Sequence, residues 1–154
     1  MSYIKDPFEL ICLFVASLVY AHGGATGIVK ERMDAMTDMG EKTKSVADMV
    51  KGKREFDRAA VIDAADTFTL HGESMAKLFP DTEMSRTGSE TEALPLIWEE
   101  WDAFTMQINE FVALSEELKQ SALQTDDIPT LRRAFFKATK GCSACHKRFR
   151  KPKG

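Results

Sequence analysis

From about residue 26 onwards, apolar and small side chains return at alternating steps of three and four, in four separate stretches. The first runs through Val29, Met33, Met36, Gly40, Thr43, Ala47 and Val50, and the second through Val61, Ala65, Phe68, Gly72, Met75 and Phe79. The third has Ile97, Trp101, Phe104, Ile108, Phe111, Ser115 and Leu118, and the fourth Leu131, Phe135, Ala138, Cys142, Cys145 and Phe149. That spacing keeps side chains on one face of a helix, whereas a half-buried strand would alternate with period two, and no comparable run does so. Each helix then has one stripe to bury. Four stripes turned to a common axis predict an all-α protein, an antiparallel up-down-up-down four-helix bundle.

The breaks between stretches agree with this division. Gly52 lies in a short Lys51-Gly52-Lys53 link, and Pro80 closes the second helix after Leu78-Phe79. Asp81 to Ala93 is polar around Gly88 and is the longest predicted loop. Pro95 falls in the first turn of the third helix, where a missing N–H costs little. Thr125-Asp126-Asp127 supplies capping side chains for the fourth.

The N-terminus follows a different pattern. After Lys5, an apolar run of twelve residues from Leu10 to Ala21 is followed by the small residues Gly23 and Gly24. A run this short falls below the roughly 20 residues needed to span a bilayer, and it fits a cleavable export signal over residues 1–21. Asp6 and Glu9 are unusual in such a segment, and an uncleaved anchor or a buried helix is the competing reading. Export leaves residues 22–154 as one mature periplasmic domain with no stable membrane span. Cys12 would leave with the signal, so no structural disulfide is available to the mature chain.

Composition narrows the function more than the fold. In 154 residues, 44% are hydrophobic, enough for one domain with a sizeable core. A net charge of −3 offers no footprint for a nucleic-acid partner. The carboxylate pairs Glu99-Glu100 and Glu116-Glu117 read as solvated surface.

The fourth stripe carries the chemistry. Cys142-Ser143-Ala144-Cys145-His146 is the Cys-x-x-Cys-His attachment sequence of a c-type haem. Thiols three apart on a helix each add to one vinyl group of the same porphyrin, and the following histidine turns its imidazole to the iron. A thioredoxin-like dithiol would accompany a βαβ pattern, and a zinc site would need a second ligand pair. Neither is visible. Because Cys142 and Cys145 are in register with Leu131, Phe135 and Phe149, the haem is expected inside the bundle.

In this topology the end of the fourth helix lies beside the start of the first. A sixth iron ligand is therefore sought in Arg32-Met33-Asp34-Ala35-Met36-Thr37-Asp38-Met39-Gly40. Thioether is a soft ligand suited to haem iron. Met36 is on the centre line of this face, with Met33 and Met39 on its flanks, and Gly40 offers room for a porphyrin. A methionine that merely fills space there is the alternative.

Four motifs in order now carry a resemblance: Val29-x-x-Arg32-x-x-x-Met36, Leu78-Phe79-Pro80, Ile97-Trp98-x-x-Trp101-x-x-Phe104, and Cys142-x-x-Cys145-His146-x-x-Phe149-Arg150. Over about residues 26–152 the chain resembles a class II c-type cytochrome of the cytochrome c-prime family. The resemblance implies haem c on Cys142 and Cys145, His146 as proximal ligand, and Met36 at the distal position. In the family's low-spin branch a methionine there binds iron; in the high-spin branch an apolar residue covers an open face. Methionine favours the low-spin branch. The resemblance also places Arg32 near a haem propionate, and makes Trp101 a departure from a more usual phenylalanine, expected to be accepted in the core.

Other residues are weaker candidates. His71 is one position off its stripe and is expected to be a partly buried histidine, while His22 is at the predicted cleavage point. Trp98 and Trp101 are expected to fill core. Five basic side chains among Lys147 to Gly154 either complement a helix C-terminus or form a positive collar for an acidic redox partner. The function expected is a non-enzymatic periplasmic carrier of single electrons that exchanges them with redox partner proteins. A five-coordinate cytochrome binding nitric oxide or carbon monoxide is the alternative, and a haem-bearing accessory module a third reading. Homodimerisation, common in the family, would use outward faces of the first two helices.

Overall fold

The computed structural model describes residues 24–152, so the expected export signal, Cys12 and His22 lie outside the described residues. Its elements are α1 (Gly27–Val50), α2 (Arg58–Met75), α3 (Glu83–Thr87), α4 (Leu96–Glu99), α5 (Trp101–Gln124) and α6 (Ile128–Phe149), with a 3₁₀ turn at Ala76–Leu78 after α2. Among the described residues there is no strand, only an isolated antiparallel bridge between Ala93 and Arg150. The four long helices α1, α2, α5 and α6 pack in that order around a ring. The α2–α5 contact is the most extensive and the α1–α6 contact the least.

Local chemistry explains the helix ends. Asp57 accepts from the Ala60 N–H at 3.2 Å to start α2, and Asp127 accepts from the Thr130 N–H at 2.9 Å to start α6, with Pro129 in its first turn. After α1 the chain reverses through Gly52, whose φ of +70° is the left-handed conformation that glycine adopts without strain. Gly72 has a packing role instead. A Cβ there would meet Val112 Cγ2 at 2.6 Å, so its bare backbone is what lets α2 and α5 approach so closely.

Three expectations need correction. The third helix is not continuous: Glu100 (φ −121°, ψ 47°) separates α4 from α5. The polar stretch after Pro80 is not a simple loop, because Thr82 accepts from the Ser85 N–H and nucleates α3. On α1 the buried line is Val29, Arg32, Ala35, Met39, Val46, Met49 and Val50, whereas Met36, Thr43 and Ala47 are half-buried and Gly40 is exposed. The predicted stripe is rotated from the true one because part of it faces a cavity instead of neighbouring side chains.

Where the bundle is dry, it is tightly closed. Val46, Val50, Val61, Leu118, Ala122 and Leu131 are each at most 1% exposed. Each large aliphatic side chain there adds about 1.5–3 kcal/mol of burial free energy. Towards the other end, Phe104 joins edge-on to Phe79 at 5.0 Å and to Phe149 at 5.3 Å, linking α5 to the chain after α2 and to the end of α6. Trp101 is not part of this core. It is 37% exposed at the start of α5, while Trp98 is half-buried and donates its indole N–H to the Phe79 carbonyl at 3.0 Å.

Candidate functional site

A cavity of about 450 Å³ opens between the first half of α1, the end of α2, the start of α5 and the end of α6. This volume is in the range of roughly 300–1,000 Å³ usual for small-molecule and cofactor sites. Its walls bring together all five residues singled out from the sequence: Arg32 and Met36 from α1, and Cys142, Cys145 and His146 from α6. Met33, Met39 and Gly40 line it too, with Ile97, Phe104 and Phe111 across from them. His71 does not. It contacts the Asp38 carboxylate at 2.8 Å in a half-buried pair between α2 and α1.

The two cysteines form no disulfide with each other; both are half-buried and packed against the hydrophobic core. Cys142 Sγ donates to the Ala138 carbonyl at 3.7 Å, a bond back to its own helix. Burial pushes both thiols up, Cys145 to about 11, where the neighbouring Cys142 adds to the effect of desolvation. At neutral pH both therefore stay protonated, unlike the low-pKa thiols of redox dithiols. Among the described residues no three His, Cys, Asp or Glu side chains converge in a way that could hold a metal ion. That weighs against a zinc reading of the motif.

Arg32 is the least ordinary residue in the wall. It is only 5% exposed, yet its guanidinium has no carboxylate partner among the described residues. One terminal nitrogen donates to the Ser85 carbonyl at 2.8 Å and to the Ser85 hydroxyl at 2.9 Å. The cation lies 4.4 Å from the centroid of the Phe79 ring, and its Nε is buried with no hydrogen-bond partner. Desolvation pulls its pKa down, the mark of a charge held away from water without an anion.

A short strap closes one side. Leu94 donates its N–H to the Phe149 carbonyl at 2.9 Å, and Lys151 to the Glu92 carbonyl at 2.8 Å. Arg150 pairs with Glu92 at 2.6 Å, and Lys151 Nζ donates to the Thr91 carbonyl at 2.8 Å. Glu90, Thr91, Glu92 and Ala93 thus become cavity wall. Sequence reasoning missed this strap and Gln107, whose Oε1 is buried without a partner at the same cavity. A polar stretch with a glycine carries no signal that it will be tied to a helix end fifty residues away. The strap also changes the expected collar, since Arg150 is bound to Glu92 and Arg148 to Glu100.

The donor set fits a covalently held haem. An apolar cavity has two thiols and a histidine on one wall, soft thioethers on the facing helix, and a buried cation that lacks an anion. Exposed Gly40 meets nothing within 4 Å of a Cβ position, so the backbone there leaves space.

Comparison with known proteins agrees. The family model described as Cytochrome C' matches residues 27–150. A cytochrome c' of Rhodopseudomonas palustris is 30% identical over 143 residues, covering 90% of this chain and 94% of the relative. A cytochrome c-556 of Agrobacterium fabrum is 32% identical over 155 residues, covering 93% of this chain and 89% of the relative. Among solved structures, cytochrome c' from Rhodopseudomonas palustris superposes with a TM-score of 0.76 at 29% identity, covering 84% of this chain and all of that one.

Proposed function

The chain belongs to the cytochrome c' family and carries covalent haem c, and from that premise we propose that it is a periplasmic carrier of single electrons with a low-spin haem. The observation that carries this reading is the shared cavity, which has Cys142, Cys145 and His146 on α6 and Met36 on the facing half of α1. The cofactor supplies one reversible electron at its iron. Every other task falls to the chain.

Cys142 and Cys145 would hold the group by two thioether bonds, and His146 would bind its iron. Met36 would be the second ligand to the iron, with Met33 and Met39 on its flanks. Arg32 would face a propionate: a desolvated guanidinium with an unpartnered Nε would gain a charge-assisted hydrogen bond that none of the described residues provides. The aromatic wall of Phe79, Phe104 and Phe149 keeps water from the group, and the strap fixes the end of α6 that carries the attachment sequence. With His146 and Met36 both bound to it, the iron would offer no open site to a substrate, which leaves electron transfer as the function. The relatives carry the names cytochrome c', cytochrome c-556 and cytochrome c-554, so the names alone do not choose an axial ligand. The apolar run at Leu10–Ala21 supports export to the periplasm.

The test is the visible spectrum of the holoprotein, oxidised and reduced, with and without carbon monoxide. Sharp low-spin bands unmoved by the gas are expected, and in Met36→Ala a high-spin spectrum that shifts on adding it. A high-spin, gas-sensitive spectrum in the unaltered protein would replace the carrier with a gas-binding cytochrome and leave Met36 as packing.

A further inference from the structure

Charge in this chain is sharply segregated. Before Ile128 there are twenty-four acidic and twelve basic residues; from Ile128 to the end there are nine basic and no acidic ones. The net charge of −3 hides two opposite halves. All of α6 therefore lies on the positive side, including the turn that carries the haem cysteines.

On α6 the cations form a surface. Leu131, Ala134, Phe135, Ala138 and Phe149 are buried, and the opposite face exposes Arg133, Phe136, Lys137, Lys140, Ala144 and Lys147. At 1.5 Å per residue the stripe is about 21 Å long from Arg133 to Lys147. Its edges are tied to acids on α5 and just before it, Lys137 to Glu117 and Arg148 to Glu100. On its centre line Lys140 and Lys147 have no carboxylate partner among the described residues. Phe136, 49% exposed, is a large apolar side chain within this basic stripe. Between Lys140 and Lys147 the exposed residues are Ser143 and Ala144, the two small side chains inside the attachment sequence.

We propose that the outer face of α6 is the docking surface for an acidic electron-transfer protein, with Lys140 and Lys147 as its electrostatic anchors and Phe136 as its apolar contact. The proposal rests on the carrier reading above and names the partner class for it. Charge complementarity selects an acidic partner. Small Ser143 and Ala144 let that partner's surface reach the turn from which the cofactor hangs. The acidic remainder of the chain repels the same partner elsewhere, so encounter is steered to this face.

The proposal reverses the sign that net charge alone predicts. Two molecules that are both net negative should react faster as salt screens their repulsion. Docking on α6 makes the rate fall with salt instead. Stopped-flow oxidation of the reduced holoprotein by plastocyanin, an acidic blue-copper protein, moves one electron from the haem iron to cupric ion. Over 20–300 mM salt, conditions of our choosing, the rate is expected to fall about tenfold or more. Lys140→Glu with Lys147→Glu should abolish that fall and slow the reaction about tenfold at low salt, with the visible spectrum unchanged. Lys44→Glu with Lys77→Glu, the same charge change off α6, should leave the salt dependence as it was.

Chemical-shift mapping of the complex with plastocyanin, independent of turnover, is expected to perturb the amides of Arg133 to Lys147. Perturbation of α6 without electron transfer would keep the docking face and overturn the carrier reading. Electron transfer that accelerates with salt, with α6 unperturbed, would overturn the docking face and keep the carrier. Binding to phosphatidylglycerol vesicles in preference to plastocyanin, or salt-sensitive self-association through α6, would also overturn it in favour of a membrane or a second copy of the chain.

Discussion

The same four helices make two unlike ends. Around Val46, Val61, Leu118 and Leu131 they close on one another, and none of these four side chains is more than 1% exposed. Around Met33, Met36, Cys142 and Cys145 they stand apart around a cavity of about 450 Å³. In both places the heptad-like spacing is the same. What differs is the partner: at the closed end each apolar side chain meets another, while at the open end it faces the place of a group that is not an amino acid. The closed end therefore holds the fold, and the open end is shaped for a guest.

This contrast has direct consequences for stability. Leu118→Ala, at 0% exposure, should cost about 2–5 kcal/mol in denaturant unfolding of the haem-free chain. Met36→Ala should cost the haem-free chain under about 1 kcal/mol, because a cavity already lies beside it. Equal losses for the two would mean that the ends are packed alike, and would remove the distinction. Gly72→Ala tests the boundary between them. Its new methyl would meet Val112 Cγ2 at 2.6 Å and force α2 from α5, at about 1–3 kcal/mol. Its visible bands should also broaden, since Phe111 beside Gly72 is a cavity wall.

The smallest effect is expected at the N-terminus of α6. The Thr130 hydroxyl and backbone N–H hold the Asp127 carboxylate below its usual range, and Arg133 adds to this. A carboxylate with a lowered folded pKa stabilises the fold above the unfolded value of roughly 3.9, and that contribution fades as pH falls through the folded value. Asp127→Ala should lower Tm slightly at pH 7 and have no effect once the pH is low enough to protonate the wild-type carboxylate. A Tm difference that persists undiminished at that pH would mean the cap acts through packing instead of charge.

Much of the site was legible before any coordinates. Cys142, Cys145 and His146 are adjacent in sequence, so their chemistry is written in one stretch, and the family model over residues 27–150 agrees with the resemblance. Met36 was reached by topology, since antiparallel neighbours put the start of α1 beside the end of α6, and Arg32 by the family resemblance; both line the cavity. Trp101 was misplaced because helical spacing alone cannot distinguish a core position from an exposed one at the first turn of a helix. The predicted α1 stripe was rotated because cavity-facing residues are apolar too, and a sequence does not say which apolar residue touches protein and which touches a cofactor.

By itself, the sequence determined the four long helices, the capping stretch that holds Asp127, the turn at Gly52 and the haem attachment turn, because each depends on residues within a few positions of one another. Only the tertiary structure decided that Arg32 is buried with no carboxylate partner among the described residues, that Glu92 and Leu94 strap the end of α6, and that Lys140 and Lys147 have no carboxylate partner among those residues. The first two depend on groups fifty or more residues apart, and all three on desolvation and charge at distances that only the packed chain defines.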